Sequence, residues 1–225
     1  MAENFRWPYV VCQEADIAVG PLTVTSSRER VVDQSKPLWV DRIVAVMKRR
    51  HASQLEIHTL DDLASQSAVR FGVLESGATE DFFRTTIHRV YSRMWGQMYR
   101  DDDSRVRTVE EGLQRVMSST DKRPWAFIGE SSMLDYAARG RCDLEVLAGG
   151  PSPIRPLGLT LPLRSELYVR INLLILQFRE QGILHRARAN WFYTPLNPIN
   201  CDVEPPPGTG TKRSLVAPGI SLNIH

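Results

Sequence analysis

From Ala15 to Val24 (ADIAVGPLTV) polar and apolar positions first alternate and then run apolar, as in a buried strand, with Gly20 and Pro21 breaking the ladder near its end. Thr25, Ser26 and Ser27 then offer N-cap hydroxyls to a short helix through Arg28, Glu29, Val31 and Val32, which the Ser35 to Pro37 segment ends. Arg28 therefore falls in a first helical turn. Leu38 to Glu56 reads as an amphipathic piece whose basic cluster, Lys48 to His51, is a solvated face. Thr59 and Asp62 form a capping-box-like start for a helix over Leu60 to Ser67, and Arg70 to Leu74 reads as a short strand. Glu75-Ser76-Gly77-Ala78-Thr79 opens the strongest helix, with apolar residues at Phe83, Ile87, Val90, Tyr91, Met94, Trp95 and Met98 and an N-terminus suited to an anion. Thr108 and Glu111 cap a helix over Val109 to Met117, a third strand covers Trp125 to Ile128, and Ser131 to Ala138 is helical again. A Pro-rich connection, Pro151 to Pro156, leads to a long helix over Leu167 to Gln181 stopped by Gly182, then a shorter one through Trp191 and a linker-like tail after Cys201. Strands and helices alternate, so the expected class is α/β.

Composition narrows the function rather than the fold. With 42% hydrophobic and 24% charged residues in 225, the chain suits a folded protein with a real core. The net charge of +2 is interspersed along the chain, which leaves no electrostatic footprint for nucleic acid. No apolar run approaches the roughly 18 to 20 residues of a membrane helix, and MAENFRWPYVVCQ lacks the basic start and apolar stretch of a signal peptide. Three cysteines, Cys12, Cys142 and Cys201, have no metal-ligand spacing and allow at most one internal disulfide; reduced buried thiols are the alternative. No nucleophile-and-base pattern, phosphate loop or metal cluster appears among the five histidines, so neither an enzyme nor a cofactor or metal is expected.

Four strings, taken in order, resemble the ligand-binding region of ionotropic glutamate receptors, most closely the kainate and AMPA branch. They are EADIAVGPLTVTSSRERVVDQSKP (Glu14 to Pro37), FGVLESGATEDFF (Phe71 to Phe83) with the following VYSRMW, AFIGESSMLDY (Ala126 to Tyr136) and INLLILQFREQGILHRARANWF (Ile171 to Phe192). The resemblance implies a two-lobe clamshell of the periplasmic-binding-protein type that closes on an α-amino acid. A carboxylate in a cleft is best held by a bidentate, permanently charged guanidinium, and the matching residue is Arg28. By the same resemblance the ligand's ammonium meets the Pro21 carbonyl, the Thr23 hydroxyl and the Glu130 carboxylate. A glutamate side chain would rest on the amides of Ala78 and Thr79 and the Thr79 hydroxyl, which favours L-glutamate over glycine. Cys142 and Cys201 match the family's disulfide. Read without the family, Arg28 and Glu29 make a surface pair, Gly77-Ala78-Thr79 merely starts a helix, and Glu130 complements a helix dipole.

The resemblance also carries departures. Only Met1 to Gln13 stands where the family has much of its first lobe, and Leu38 to Glu56 stands where it inserts pore segments. Gln34 replaces a usual Phe, and Leu157 lies near a usual Tyr. The expected organisation is a first-lobe remnant (1–39, the first lobe being incomplete), a second lobe (40–149), a return to the first lobe (150–200) and a tail (201–225). The expected setting, from the family, is the extracellular face of the plasma membrane, with other receptor subunits or a homodimer through Leu167 to Gln181. The alternatives are a degenerate receptor fragment that binds nothing and a soluble amino-acid-binding protein.

Overall fold

A computed structural model describes residues 10–11 and 14–192. In chain order the elements are β1 (Ala18–Thr23), a 3-10 turn (Arg28–Arg30), β2 (Asp33–Gln34), β3 (Trp39–Lys48), α1 (Arg49–Gln54), α2 (Leu60–Ser65) and β4 (Arg70–Leu74). Then come α3 (Ala78–Thr85), α4 (Arg89–Arg100), β5 (Arg105–Val106), α5 (Val109–Ser118), β6 (Trp125–Glu130) and α6 (Ser131–Ala138). The described part closes with β7 (Leu144–Leu147), β8 (Ile154–Leu161), α7 (Leu167–Glu180) and α8 (Ile183–Phe192).

Strand β3 joins two sheets. Its first half, Trp39 to Arg42, pairs antiparallel with β8, which also carries β1 and β2. Its second half pairs antiparallel with β6 from Ile43 to Val46 and with β7 from Ala45 to Lys48. Strands β4 and β6 run parallel, as do β4 and β5, so helical crossovers cover this second sheet. Ile43, Ala45 and Met47 enter one core with Leu63, Phe83, Met94 and Met98, while Val44 and Val46 enter another with Leu113, Val116, Phe127 and Leu134. The unbroken apolar run IVAVM follows from that, because a period-2 strand covered on both faces has no polar side. Each large side chain buried there contributes about 1.5 to 3 kcal/mol of hydrophobic stabilisation.

Several sequence expectations are corrected. The amphipathic piece Leu38 to Glu56 is a ten-residue strand followed by helix α1. The basic residues there are engaged: Lys48 Nζ donates to the Ser119 carbonyl at 2.6 Å, Arg49 pairs with Glu145 at 3.2 Å, and Arg50 with Asp121 at 2.8 Å. The single helix expected from Glu75 through Met98 is two helices, α3 and α4, because Thr86 and His88 are extended. Ile87 is fully exposed instead of sharing the buried face with Phe83 and Tyr91. The break folds the helices together, and Phe82, Phe83 and Tyr91 meet with ring centroids 5.4 to 6.0 Å apart.

The Pro-rich connection ends earlier than expected, since β8 begins at Ile154 and contains Pro156. That proline has no N–H to give, but its carbonyl accepts the Val24 amide at 2.8 Å. Gly20 and Pro21 lie inside β1, where the register with β8 shifts between Ala18 and Leu22. The short strands β2, β5 and β7 lack a legible alternation. The Thr59–Asp62 capping box forms in both directions, whereas at the start of α5 only half of one forms: Thr108 accepts the Glu111 amide, but the Glu111 carboxylate accepts from the Arg107 amide instead of from Thr108. Helix α7 stops at Gly182, whose φ of 70° suits a left-handed cap and whose amide donates to the Arg179 carbonyl. Residues 1–9, 12–13 and 193–225, including most of the Met1 to Gln13 segment and the tail after Cys201, lie outside the described residues.

Candidate ligand-binding cleft

The end of β1 and the 3-10 turn build one wall of a cleft of about 790 Å³, and the start of α3 with the end of β6 builds the other. Pro21, Thr23, Arg28, Ala78, Thr79 and Glu130 all line it. Although these residues span more than a hundred positions of sequence, strand β3, which pairs with β8 in one sheet and with β6 in the other, brings them together.

Arg28 sits in the first turn after a run of hydroxyls, and Thr25 Oγ1 accepts its backbone amide at 3.3 Å. Its guanidinium donates from Nη1 to the Thr23 carbonyl at 2.7 Å. Burial lowers its proton affinity from the usual arginine range, with Glu130 and then Asp81 opposing that shift. An arginine remains charged through such a shift, so the site keeps one fixed cation at this end.

Glu130 is the last residue of β6 and the N-cap of α6, not a first-turn residue, and its side chain makes no cap bond to its own helix. It reaches across the cleft instead and accepts a short hydrogen bond from the Thr23 hydroxyl. Burial pushes its carboxyl above the usual glutamate range; the Thr23 bond pulls the other way, Asp41 adds to the rise, and Arg155 and Arg28 oppose it.

At the start of α3 the N-cap is Gly77, which has no side chain to cap the helix. The first-turn amides of Ala78 and Thr79 therefore stay available to an anion, with the helix dipole adding to the attraction. Thr79 is buried beside them.

Three further residues shape the site and were not among the sequence candidates. Gln34 donates from Nε2 to the Thr23 carbonyl at 3.3 Å and accepts the Thr25 amide at 3.0 Å, so this buried amide braces the segment that carries Thr23 and Arg28. Its replacement of an expected Phe was visible in the sequence, but its bonding was not. Arg155 on β8 donates from Nη2 to the Ala78 carbonyl at 2.9 Å, lies 5.5 Å from the Phe82 ring centroid and is the second cation near Glu130. Asp41 on β3 is fully buried and binds the start of α6. Leu157 is buried in β8, where it pairs with Thr23 and Trp39.

Cys142 is disulfide-bonded. Cys201 and Cys12 lie outside the described residues. Among the described residues no group of His, Cys, Asp and Glu could hold a metal ion, and no helix is long and apolar enough to cross a membrane.

No protein-family model matches the chain. It is similar to mouse (Mus musculus) glutamate receptor 3, with 35% identity over 139 residues that make up 61% of this chain and 15% of the relative. The solved structure of Drosophila muscle GluRIIB in complex with glutamate matches with a TM-score of 0.74 and 28% identity, covering 83% of this chain and 72% of that one. The match thus spans a small part of the curated relative and most of the solved ligand-bound chain. These relatives are receptors and not enzymes, and the fold is their two-lobe α/β clamshell. With four family strings in order and that fold around one cleft, the chain is similar in sequence and fold to the ligand-binding regions of the ionotropic glutamate receptors.

Proposed function

We propose that the cleft binds an α-amino acid, L-glutamate, and that the chain serves as the sensor of a ligand-gated channel on the extracellular face of the plasma membrane. The observation that carries the reading is the placement of Arg28 and Glu130, 102 positions apart by their numbers, in one cleft with the Thr23 hydroxyl bonded to Glu130. Their charges mirror those of an amino acid zwitterion. Arg28 takes the α-carboxylate, the Pro21 carbonyl, Thr23 and Glu130 take the ammonium, and the Ala78 and Thr79 amides with the Thr79 hydroxyl take the side-chain carboxylate. The solved relative is named as a complex with glutamate, which supports the choice of ligand.

In this reading 1–39 and 150–200 contribute to the first lobe, 40–149 form the second, and ligand binding shifts the population toward the closed clamshell. Cys142 pairs with Cys201, which suits an oxidising compartment.

The test is thermal unfolding of the purified chain with millimolar L-glutamate, with glycine in parallel and with Arg28→Ala as a control. Ligand at 100 times its dissociation constant stabilises a folded protein by about 2.7 kcal/mol. The expected result is a rise in the midpoint with glutamate that Arg28→Ala abolishes. A cooperative transition that no amino acid moves, or an equal rise in the variant, overturns the reading.

A further inference from the structure

We propose that Asp41 is a positioning residue for the amino-acid site: a carboxylate on the crossing strand caps α6 and so leaves the side chain of Glu130 free for the ligand. This rests on the reading of Glu130 as the ammonium acceptor. Asp41 lies in β3 just before the strand passes from its pairing with β8 to its pairing with β6. Its side chain is fully buried and accepts the Ser132 amide on both oxygens, at 3.0 and 3.1 Å. It also accepts short bonds from the Ser131 and Ser132 hydroxyls and the Arg42 amide at 3.1 Å.

A helix start leaves its first amides without intrahelical partners, and the N-cap side chain ordinarily supplies one. Here the N-cap is Glu130, and it makes no such bond because it is turned to Thr23. Asp41 does the capping from another element, 90 positions before Ser131 and 91 before Ser132. One residue therefore ties the strand between the lobes to the helix that presents Glu130. Its second effect is electrostatic. The groups that face Glu130 are Thr23 from β1, Arg28 from the 3-10 turn, Asp41 from β3 and Arg155 from β8, and Asp41 is the anion among them. It favours the protonated form of Glu130, against the two arginines.

The test compares Asp41→Asn and Asp41→Leu with the parent chain in two readouts: glutamate affinity by calorimetry across pH, and titration of the Glu130 carboxyl carbon by NMR without ligand. Asp41→Asn keeps an oxygen for Ser132 and removes the charge. It is expected to bind within about threefold of the parent near neutral pH, to titrate Glu130 at lower pH, and to retain glutamate further into acid. Asp41→Leu strands the Ser131 and Ser132 donors, and a roughly tenfold loss of affinity is expected. Lower thermal midpoints in both variants, with Glu130 titration and the binding profile unmoved, would reduce Asp41 to a structural residue and overturn the proposal. If the parent binds no glutamate, the functional reading fails, while an unshifted Glu130 titration in Asp41→Asn still decides against the proposal and a downward shift still supports its electrostatic part.

Discussion

Glu130 holds its proton to higher pH in the folded chain than in the unfolded one, chiefly because burial penalises its charge. Over the window from the ordinary carboxylate range up to that raised value the unfolded state binds fewer protons, so stability falls as pH rises through it. Glu130→Gln removes the ionisation while leaving an oxygen for the Thr23 hydroxyl. Its unfolding midpoint is expected to exceed the parent's near neutral pH, with the difference closing in acid, and glutamate binding is expected to be lost. Parallel pH profiles in thermal unfolding would count against this. Arg28, Thr23 and Glu130 were legible in the sequence because their neighbours, PLT and FIGES, are distinctive strings. Gln34, Arg155 and Asp41 were not, because a buried polar residue on a strand looks like any other polar residue until its partners are known.

At the scale of elements, Gly112 and Gly96 show how packing decides the sign of one substitution. Both lie inside helices, α5 and α4, where alanine is intrinsically better by roughly 0.5 to 1 kcal/mol. A Cβ on Gly96 meets nothing within 4 Å, so Gly96→Ala is expected to stabilise by about that amount. A Cβ on Gly112 would lie 2.8 to 2.9 Å from the ring atoms of Phe127, which is fully buried and cannot withdraw. Gly112→Ala is therefore expected to destabilise by about 1 to 2 kcal/mol net of that gain. Urea unfolding of the two variants checks both signs. Helix ends were well predicted where a cap sits beside them in sequence, as at Thr59, Thr108 and Gly182. The break at Thr86 to His88 was not, because it contains neither Gly nor Pro, and it brings Phe82 and Phe83 tilted and edge-on against Tyr91.

For the molecule as a whole, α7 leaves Val169 and Leu173 more than 60% exposed, with Leu174 and Phe178 partly exposed nearby. Val169 and Leu173 are four residues apart and share one helix face, and apolar faces of this kind mark interaction surfaces. The homodimer expected from the sequence through Leu167 to Gln181 would use that face. The double substitution Val169→Glu and Leu173→Glu is expected to abolish concentration-dependent dimerisation without lowering the unfolding midpoint, as read by sedimentation and thermal unfolding. A parent chain that stays monomeric at high concentration would refute the pairing.

Taken alone, the sequence determined the local periodicities, the caps and the ordered strings that carry the resemblance to the glutamate receptors, since each depends on residues within a few positions of one another. It also supplied the two charges expected at the ligand. Only the tertiary structure decided that β3 serves two sheets, that one helical pattern is two helices, and that Glu130 is released from its own helix by Asp41. Those features depend on contacts between residues far apart in the chain, and long-range pairing leaves no local period to read.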